Sequence, residues 1–236
     1  ERLHGVKTER LSPCGMLITR LQEELLQTYS VEDERRALAV PAGKRIVSYL
    51  SVANYEAADT VASVTALADA IECGDLENVV IVLRTSPWED AGGARIRFKD
   101  NPHVRVQDSG ELPFDTPGSE LLARHAALVK ASSVLVMGSI TSSLFQAATW
   151  GIPSILDRSG QDQESKTATL VLFEDADPSG MIADGMPVTE SPEELIETIK
   201  RYLDSPGWDS EVWRAITDKW DYQDDNYVDN FMRMIE

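Results

Sequence analysis

The stretch Ser133–Asp157, SVLVMGSITSSLFQAATWGIPSILD, holds the densest set of residues able to do chemistry in this chain. A short apolar run ends at Met137, the chain turns at Gly138, and Ser139, Thr141, Ser142 and Ser143 follow just before an apolar helical pattern. The first backbone N–H groups of a helix have no partner within it, and its aligned peptide dipoles leave a partial positive charge there. A turn of this kind attracts anions; its hydroxyls add donors, and the glycine lets a ligand approach the backbone. The same hydroxyls would serve equally well if they only capped the helix, so the residue types leave both readings open.

The elements that must position this turn are legible as an alternation. Arg45–Leu50 (RIVSYL), Asn78–Leu83 (NVVIVL), His103–Val106, Ser133–Met137 and Pro153–Leu156 read as short apolar strands. Between them, Glu56–Glu72 repeats Ala57, Val61, Val64, Leu67, Ala68 and Ile71 at helical spacing. Ser119–Ala131 reads as a helix capped by Ser119, Thr141–Trp150 as another, and the span from Arg84 through Gly93 as a Gly-containing loop. Near-continuous apolar strands separated by helices predict an α/β fold, Rossmann-like, with a mostly parallel sheet covered by helices on both faces. In such sheets ligands sit beyond the carboxyl ends of the strands, where the Gly138 turn lies.

Residues 1–42 are expected to form a linking segment. It contains a helical patch at Leu21–Leu26 and a charged stretch, Glu32–Arg36, leading to the turn Pro41-Ala42-Gly43. Residues 43–236 form the Rossmann-like domain. A polar loop, Arg158–Lys166, follows the fifth strand, and a helix starts at Ser191-Pro192 and runs to about Asp204. Further helices at about Ser210–Trp220 and Asn226–Ile235 are expected to close the chain.

Composition narrows the function. The net charge is −18 over 236 residues, with pI about 4.5. A surface this acidic repels nucleic acid and anionic lipid, so neither is expected as a partner. Arginine outnumbers lysine 15 to 7. No apolar run approaches the roughly 18–20 residues of a membrane span, and no leader pattern opens the chain. With two cysteines, Cys14 and Cys73, and three histidines, neither a disulfide framework nor a metal site is signalled. A cytoplasmic setting is the expectation, with no cofactor or metal. Walker loop, GxGxxG, Gly-x-Ser-x-Gly and HExxH patterns do not occur, which argues against the enzyme classes that carry them.

The order strand, Gly/Ser/Thr turn, helix, Gly-x-Pro, strand resembles the C-terminal, donor-binding domain of GT-B-type glycosyltransferases and of UDP-N-acetylglucosamine 2-epimerases. Here it reads Gly138, Ser139, Thr141, Ser142, Ser143, then Gln146-Ala147 and Gly151-Ile152-Pro153. The resemblance implies that Ser139, Thr141, Ser142 and Ser143 hold the diphosphate of a nucleotide sugar beside Gly138. It also implies that Gln146 meets the ribose, in place of the family's acidic residue; an amide can bond two hydroxyls. Val79–Leu83 followed by Arg84-Thr85-Ser86-Pro87 resembles the strand that ends in an Arg and a His-Pro pair, with Ser86 where the His stands. Arg84 is thereby a candidate for two-pronged phosphate binding, a surface ion pair being the alternative. Asp224–Ile235 resembles the helix that closes many GT-B chains, and Leu11–Leu21 the segment crossing between lobes.

The catalytic base of such enzymes usually comes from the other lobe, which a longer parent chain or a partner subunit is expected to supply. The implied activity is transfer of a sugar from a nucleotide diphosphate donor to a glycan or small-molecule acceptor. The alternatives are a sugar-nucleotide 2-epimerase and a non-catalytic binding or assembly domain. Self-association through an apolar lobe-docking face fits all three. Elsewhere, His125 reads as a partly buried, hydrogen-bonded histidine, His103 as structural, and Trp88 and Trp150 as packing groups. Glu164 and Lys166 read as a solvated loop or, alternatively, as donor-sugar contacts.

Overall fold

The computed structural model describes residues 22–51, 57–85, 91–107, 118–138, 141, 143–160, 185–205, 207, 211, 212 and 214. Its strands are β1 (Arg45–Leu50), β2 (Val79–Arg84), β3 (Val104–Gln107), β4 (Ser132–Met137), β5 (Ser154–Asp157) and β6 (Val188–Thr189). The helices are α1 (Val31–Ala37), α2 (Ala57–Glu72), α3 (Ala91–Phe98), α4 (Gly118–Ala131), α5 (Ser143–Thr149) and α6 (Pro192–Asp204). The six strands form one sheet in the order β3-β2-β1-β4-β5-β6, and every neighbouring pair is parallel. The expected Rossmann-like α/β architecture is therefore present.

The side-chain period of two divides each strand between two cores. Val47 and Tyr49 of β1, Val79, Ile81 and Leu83 of β2, Val134 and Val136 of β4 and Ile155 of β5 share one cluster with residues of α2 and α6. The intervening Ile46, Val80 and Val82 pack with Leu128 of α4, and Leu50, Leu135, Met137 and Leu156 pack with Leu144 and Ala147 of α5. Each large aliphatic side chain buried in this way is worth roughly 1.5–3 kcal/mol. Apolar residues at consecutive positions, not alternate ones, are what a sheet covered on both faces requires.

The structure departs from the sequence reading in four places. The charged stretch Glu32–Arg36 is helical, as α1. Ser30 caps it through a reciprocal capping box with Asp33, and Glu34 is buried. The span read as a Gly-containing loop through Gly93 gives way to α3, whose two glycines and weak apolar periodicity hid it. Pro187–Thr189 supplies a sixth strand, only two residues long, which pairs with Leu156 and Asp157. Helix α4 begins at Gly118, so Ser119 lies inside its first turn and is not its cap. Leu11–Leu21 and Asp224–Ile235 lie outside the described residues; of Ser210–Trp220, Glu211, Val212 and Arg214 are helical.

The Gly-x-Pro element has a structural explanation. Gly151 N–H bonds the Ala148 carbonyl at 3.0 Å and Ile152 N–H bonds the Ala147 carbonyl at 2.8 Å. This is the paired closure of a Schellman motif, with Gly151 in the left-handed region at φ 67°. Ile152 packs into the same cluster as Ala147, and Pro153 then leads directly into β5. A Cβ at Gly151 meets nothing within 4 Å, so a substitution there carries backbone strain alone. Gly151→Ala is expected to destabilise the protein by about 1–2 kcal/mol and Gly151→Asn by less, as read from urea-unfolding midpoints.

Candidate functional site

The strand register places Gln107, Arg84, Leu50 and Met137 in one row at the carboxyl edge of the sheet. Strand order reverses between β1 and β4, and a parallel sheet opens its binding crevice at such a reversal. The Gly138 turn borders that point, where Gly138 N–H bonds the Leu50 carbonyl at 3.3 Å. With strands about 4.8 Å apart, the Arg84 backbone sits roughly 10 Å from the end of β4, within reach of a long side chain and a ligand between them.

Within the turn, helix α5 starts at Ser143, two residues later than the sequence pattern indicated, and spans seven residues. The Thr141 hydroxyl oxygen accepts the Ser143 N–H at 3.3 Å, which serves the start of the helix. The Ser143 hydroxyl is buried and lies 2.9 Å from Nε2 of His125 on α4. Gln146 is 1% exposed, and its Oε1 is buried without a hydrogen-bond partner, as is Nδ1 of His125. Ser139 and Ser142 lie outside the described residues. The structure thus brings Ser143, Gln146 and His125 together, and gives Thr141 and Ser143 partners inside the protein.

Arg84 belongs to a second, adjoining network. Its guanidinium donates to Gln107 Oε1, and the other end of the same carboxamide donates to Glu34 Oε1 at 2.5 Å. The buried Glu34 carboxylate also accepts from Tyr29 Oη at 2.7 Å and from Arg124 Nε at 3.3 Å. Burial pushes the Arg84 guanidinium down to about 10; Glu34 opposes this shift and Arg124 adds to it. Burial, aided by the hydrogen bond to Glu34, raises the Tyr29 phenol to about 12. Among the described residues of this cluster, Arg124 pairs with the Glu34 carboxylate directly and Arg84 reaches it through Gln107, two guanidinium groups against one carboxylate in a chain of net charge −18. Burial also depresses His125, to about 3; the charge of Arg84 adds to this, and nearby Gln146 opposes it. The imidazole is therefore neutral at ordinary pH.

A third group lies at the end of β5. Asp157 accepts from Tyr49 Oη at 2.8 Å, from Ser159 N–H at 2.9 Å and Ser159 Oγ at 2.5 Å, and from Thr189 Oγ1 at 3.3 Å. These bonds tie β1, β5 and β6 together at their carboxyl ends. Burial, followed by the negative charge of Asp157, drives the Tyr49 phenol well above its ordinary value. Arg158 is buried, with Nη1 3.4 Å from Glu190 Oε1.

His125 is part-buried and hydrogen-bonded, as its helical position indicated. His103 Nε2 lies 2.7 Å from the Glu72 carboxylate at the surface. Trp150 is a packing group whose Nε1 donates to Glu23 at 2.6 Å, under the Lys130 ammonium. Cys73 is a free, exposed thiol. Trp88, Glu164, Lys166, Ser86 and Cys14 lie outside the described residues. Among the described residues, no cluster of His, Cys, Asp and Glu could hold a metal ion, and no helix is long and apolar enough to cross a membrane.

Sequence reasoning missed Glu34, Gln107, Arg124 and Tyr29. One signal was available for Glu34: it lies on the same helical stripe as Val31 and the buried Leu38, where an apolar residue is expected.

No family model matches the chain, and no curated protein matches it. Solved structures do. The wall teichoic acid polymerase TagF, in a crystal soaked with CDPG, superposes with TM-score 0.58 at 15% identity, over 96% of this chain and 50% of that one. UDP-GlcNAc 2-epimerase from Neisseria meningitidis, bound to UDP-GlcNAc, gives 0.59 at 10% identity, over 98% and 56%. The S. aureus MnaA–UDP co-structure gives 0.61 at 11% identity, over 98% and 55%. The chain spans about half the length of each. By fold, the chain is a Rossmann-like α/β lobe of the GT-B type.

Proposed function

We propose that this chain is the nucleotide-sugar-binding half of a GT-B-type glycosyltransferase, which moves a sugar from a nucleoside diphosphate donor to a glycan or small-molecule acceptor. The observation that carries the reading is the half-buried guanidinium of Arg84 at the carboxyl edge of β2, in a cluster with Arg124 and the single carboxylate of Glu34. It stands beside the strand-order reversal and the Gly138 turn. Among the described residues of this cluster two guanidinium groups stand against one carboxylate, a balance that suits an anion, and a diphosphate matches the planar fork of Arg84. Arg84 and the Gly138–Ser143 turn, with Ser139, Thr141 and Ser142, hold the diphosphate in this reading, and Gln146 lies at the ribose side. The chain's part in transfer is to position the donor and to stabilise charge on the leaving diphosphate. The general base comes from a second lobe, in a longer parent chain or a partner subunit, and the setting is cytoplasmic.

A second reading, a sugar-nucleotide 2-epimerase, is favoured by the epimerase lobes among the similar folds, one of them solved with UDP-GlcNAc bound. Both readings place the same diphosphate at the same edge. They separate on whether the sugar is transferred to an acceptor or returned epimerised once the other lobe is present. A binding or assembly domain without catalysis is the reading left if both assays stay silent while the nucleotide still binds.

Titration with UDP, GDP, CDP, ADP and inorganic diphosphate, by calorimetry and thermal shift, tests the site. At 100 times its dissociation constant a ligand stabilises by about 2.7 kcal/mol, a shift of roughly 5–11 °C for a chain of this size. Arg84→Met is expected to weaken the tightest of them about 10–100-fold, as loss of a charged hydrogen bond implies. If none binds, or if Arg84→Met binds as the wild type does, the site assignment is wrong. Gln146→Glu restores the acidic residue of the resembling families and is expected to tighten nucleotide but not inorganic diphosphate. Equal effects on both ligands would remove Gln146 from the ribose side.

A further inference from the structure

Gln107 stands between two neighbours that a single amide can satisfy together. It is 2% exposed, at the end of β3, in register with Arg84 across the sheet. On one side lies the Arg84 guanidinium, which can only donate; on the other lies the Glu34 carboxylate, which can only accept. Gln107 Oε1 accepts from Arg84, and Nε2 donates to Glu34 Oε1 at 2.5 Å. A turned-over amide would set donor against donor and acceptor against acceptor, so these partners fix its orientation. The far end of the chain is fixed in its turn. Tyr29 and Arg124 both donate to Oε2 of the buried Glu34, which α1 carries against α4. Arg84 is therefore held by a neutral acceptor, and the carboxylate of the cluster stands one carboxamide further off. A carboxylate at position 107 would pair with Arg84 directly and leave it less charge for a ligand. An apolar side chain there would leave the guanidinium unheld and remove a donor from the buried Glu34.

We propose that Gln107 is a positioning residue for the anion site at Arg84: its amide holds the guanidinium in place and keeps the Glu34 carboxylate from neutralising it. This rests on the reading of Arg84 as the diphosphate contact. The helix that precedes the sheet thereby takes part in the site, because Glu34 on α1 sets which way the amide faces.

Exchanging the two side chains, Gln107→Glu with Glu34→Gln, tests the proposal. The carboxylate at 107 then accepts from Arg84 and from the amide at 34, whose oxygen accepts from Tyr29 and Arg124. All four hydrogen bonds and the net charge are kept; only the negative charge has moved, onto Arg84. Inorganic diphosphate is titrated by calorimetry into the wild type, the exchange variant and Gln107→Met. The exchange is expected to weaken binding about 10–100-fold and Gln107→Met about 3–10-fold. Equal affinity in the wild type and a folded exchange variant would overturn the proposal and leave the Arg84 reading intact. A purely structural amide is indifferent to which partner carries the charge. Undiminished affinity in Gln107→Met would overturn it as well, and decides the matter if the exchange variant does not fold. No binding by the wild type would overturn the site reading and the positioning role with it.

A ligand-free arm compares urea-unfolding midpoints of Arg84→Met, Gln107→Met and the two combined. The combined loss is expected to be smaller than the sum of the single losses, because either substitution already breaks the shared bond. Additive losses would mean that the amide does not hold Arg84, and would sink the proposal whether or not diphosphate binds.

Discussion

A parallel sheet sends every strand out through the same edge, and the fold of this chain follows from that constraint. Each connection must cross a face of the sheet to begin the next strand, so both faces acquire helices and every strand must be apolar on both sides. Successive residues of β1, β2 and β4 accordingly enter different cores, one under α2 and α6 and the other under α4 and α5. The carboxyl ends then gather in one row, and the reversal of order between β1 and β4 parts the loops above it. Arg84, Gly138 and Asp157 reach the same edge of the sheet because of this geometry, although 73 residues separate the first from the last.

That edge runs against the charge of the whole molecule. A surface of net charge −18 would by itself discourage an anionic ligand. Inside the cluster, however, burial lowers the effective dielectric, and the nearby charges outweigh distant screened ones. Glu34 compensates part of the charge of Arg84 and Arg124, and Gln107 relays between Glu34 and Arg84. Among the described residues, two guanidinium groups thus stand against one carboxylate beside the crevice. Net charge describes how the molecule meets large partners; it says little about a pocket a few ångströms across.

The pattern from Gly138 to Pro153 serves architecture as well as any ligand. Gly151 closes α5, Ile152 packs beneath it, and Pro153 starts β5. Thr141 serves the helix start and Ser143 anchors His125. A motif with so many structural duties marks a fold more securely than a reaction, in keeping with lobes of similar shape at 10–15% identity that belong to a polymerase and to epimerases.

Five of the six strands, helices α2, α4 and α6 and the place of the Gly138 turn were legible in the sequence alone, because apolar periodicity and capping are local properties of a chain. Helix α3 was hidden by its glycines, α1 by its charges and β6 by its length of two residues, all cases where tertiary contact decides against weak local preference. The carboxyl edge was indicated by the alternation of strands and helices, and Arg84 by the resemblance of its strand end to that of the GT-B families. Its surroundings were not: Glu34, Gln107, Arg124 and His125 come from segments spread over more than ninety residues. The sequence determined that an arginine would stand at the carboxyl edge of a parallel sheet. Only the tertiary structure decided that it would be half-buried there, joined through Gln107 to a carboxylate that pairs with Arg124, because desolvation and charge pairing depend on distances that no local pattern encodes.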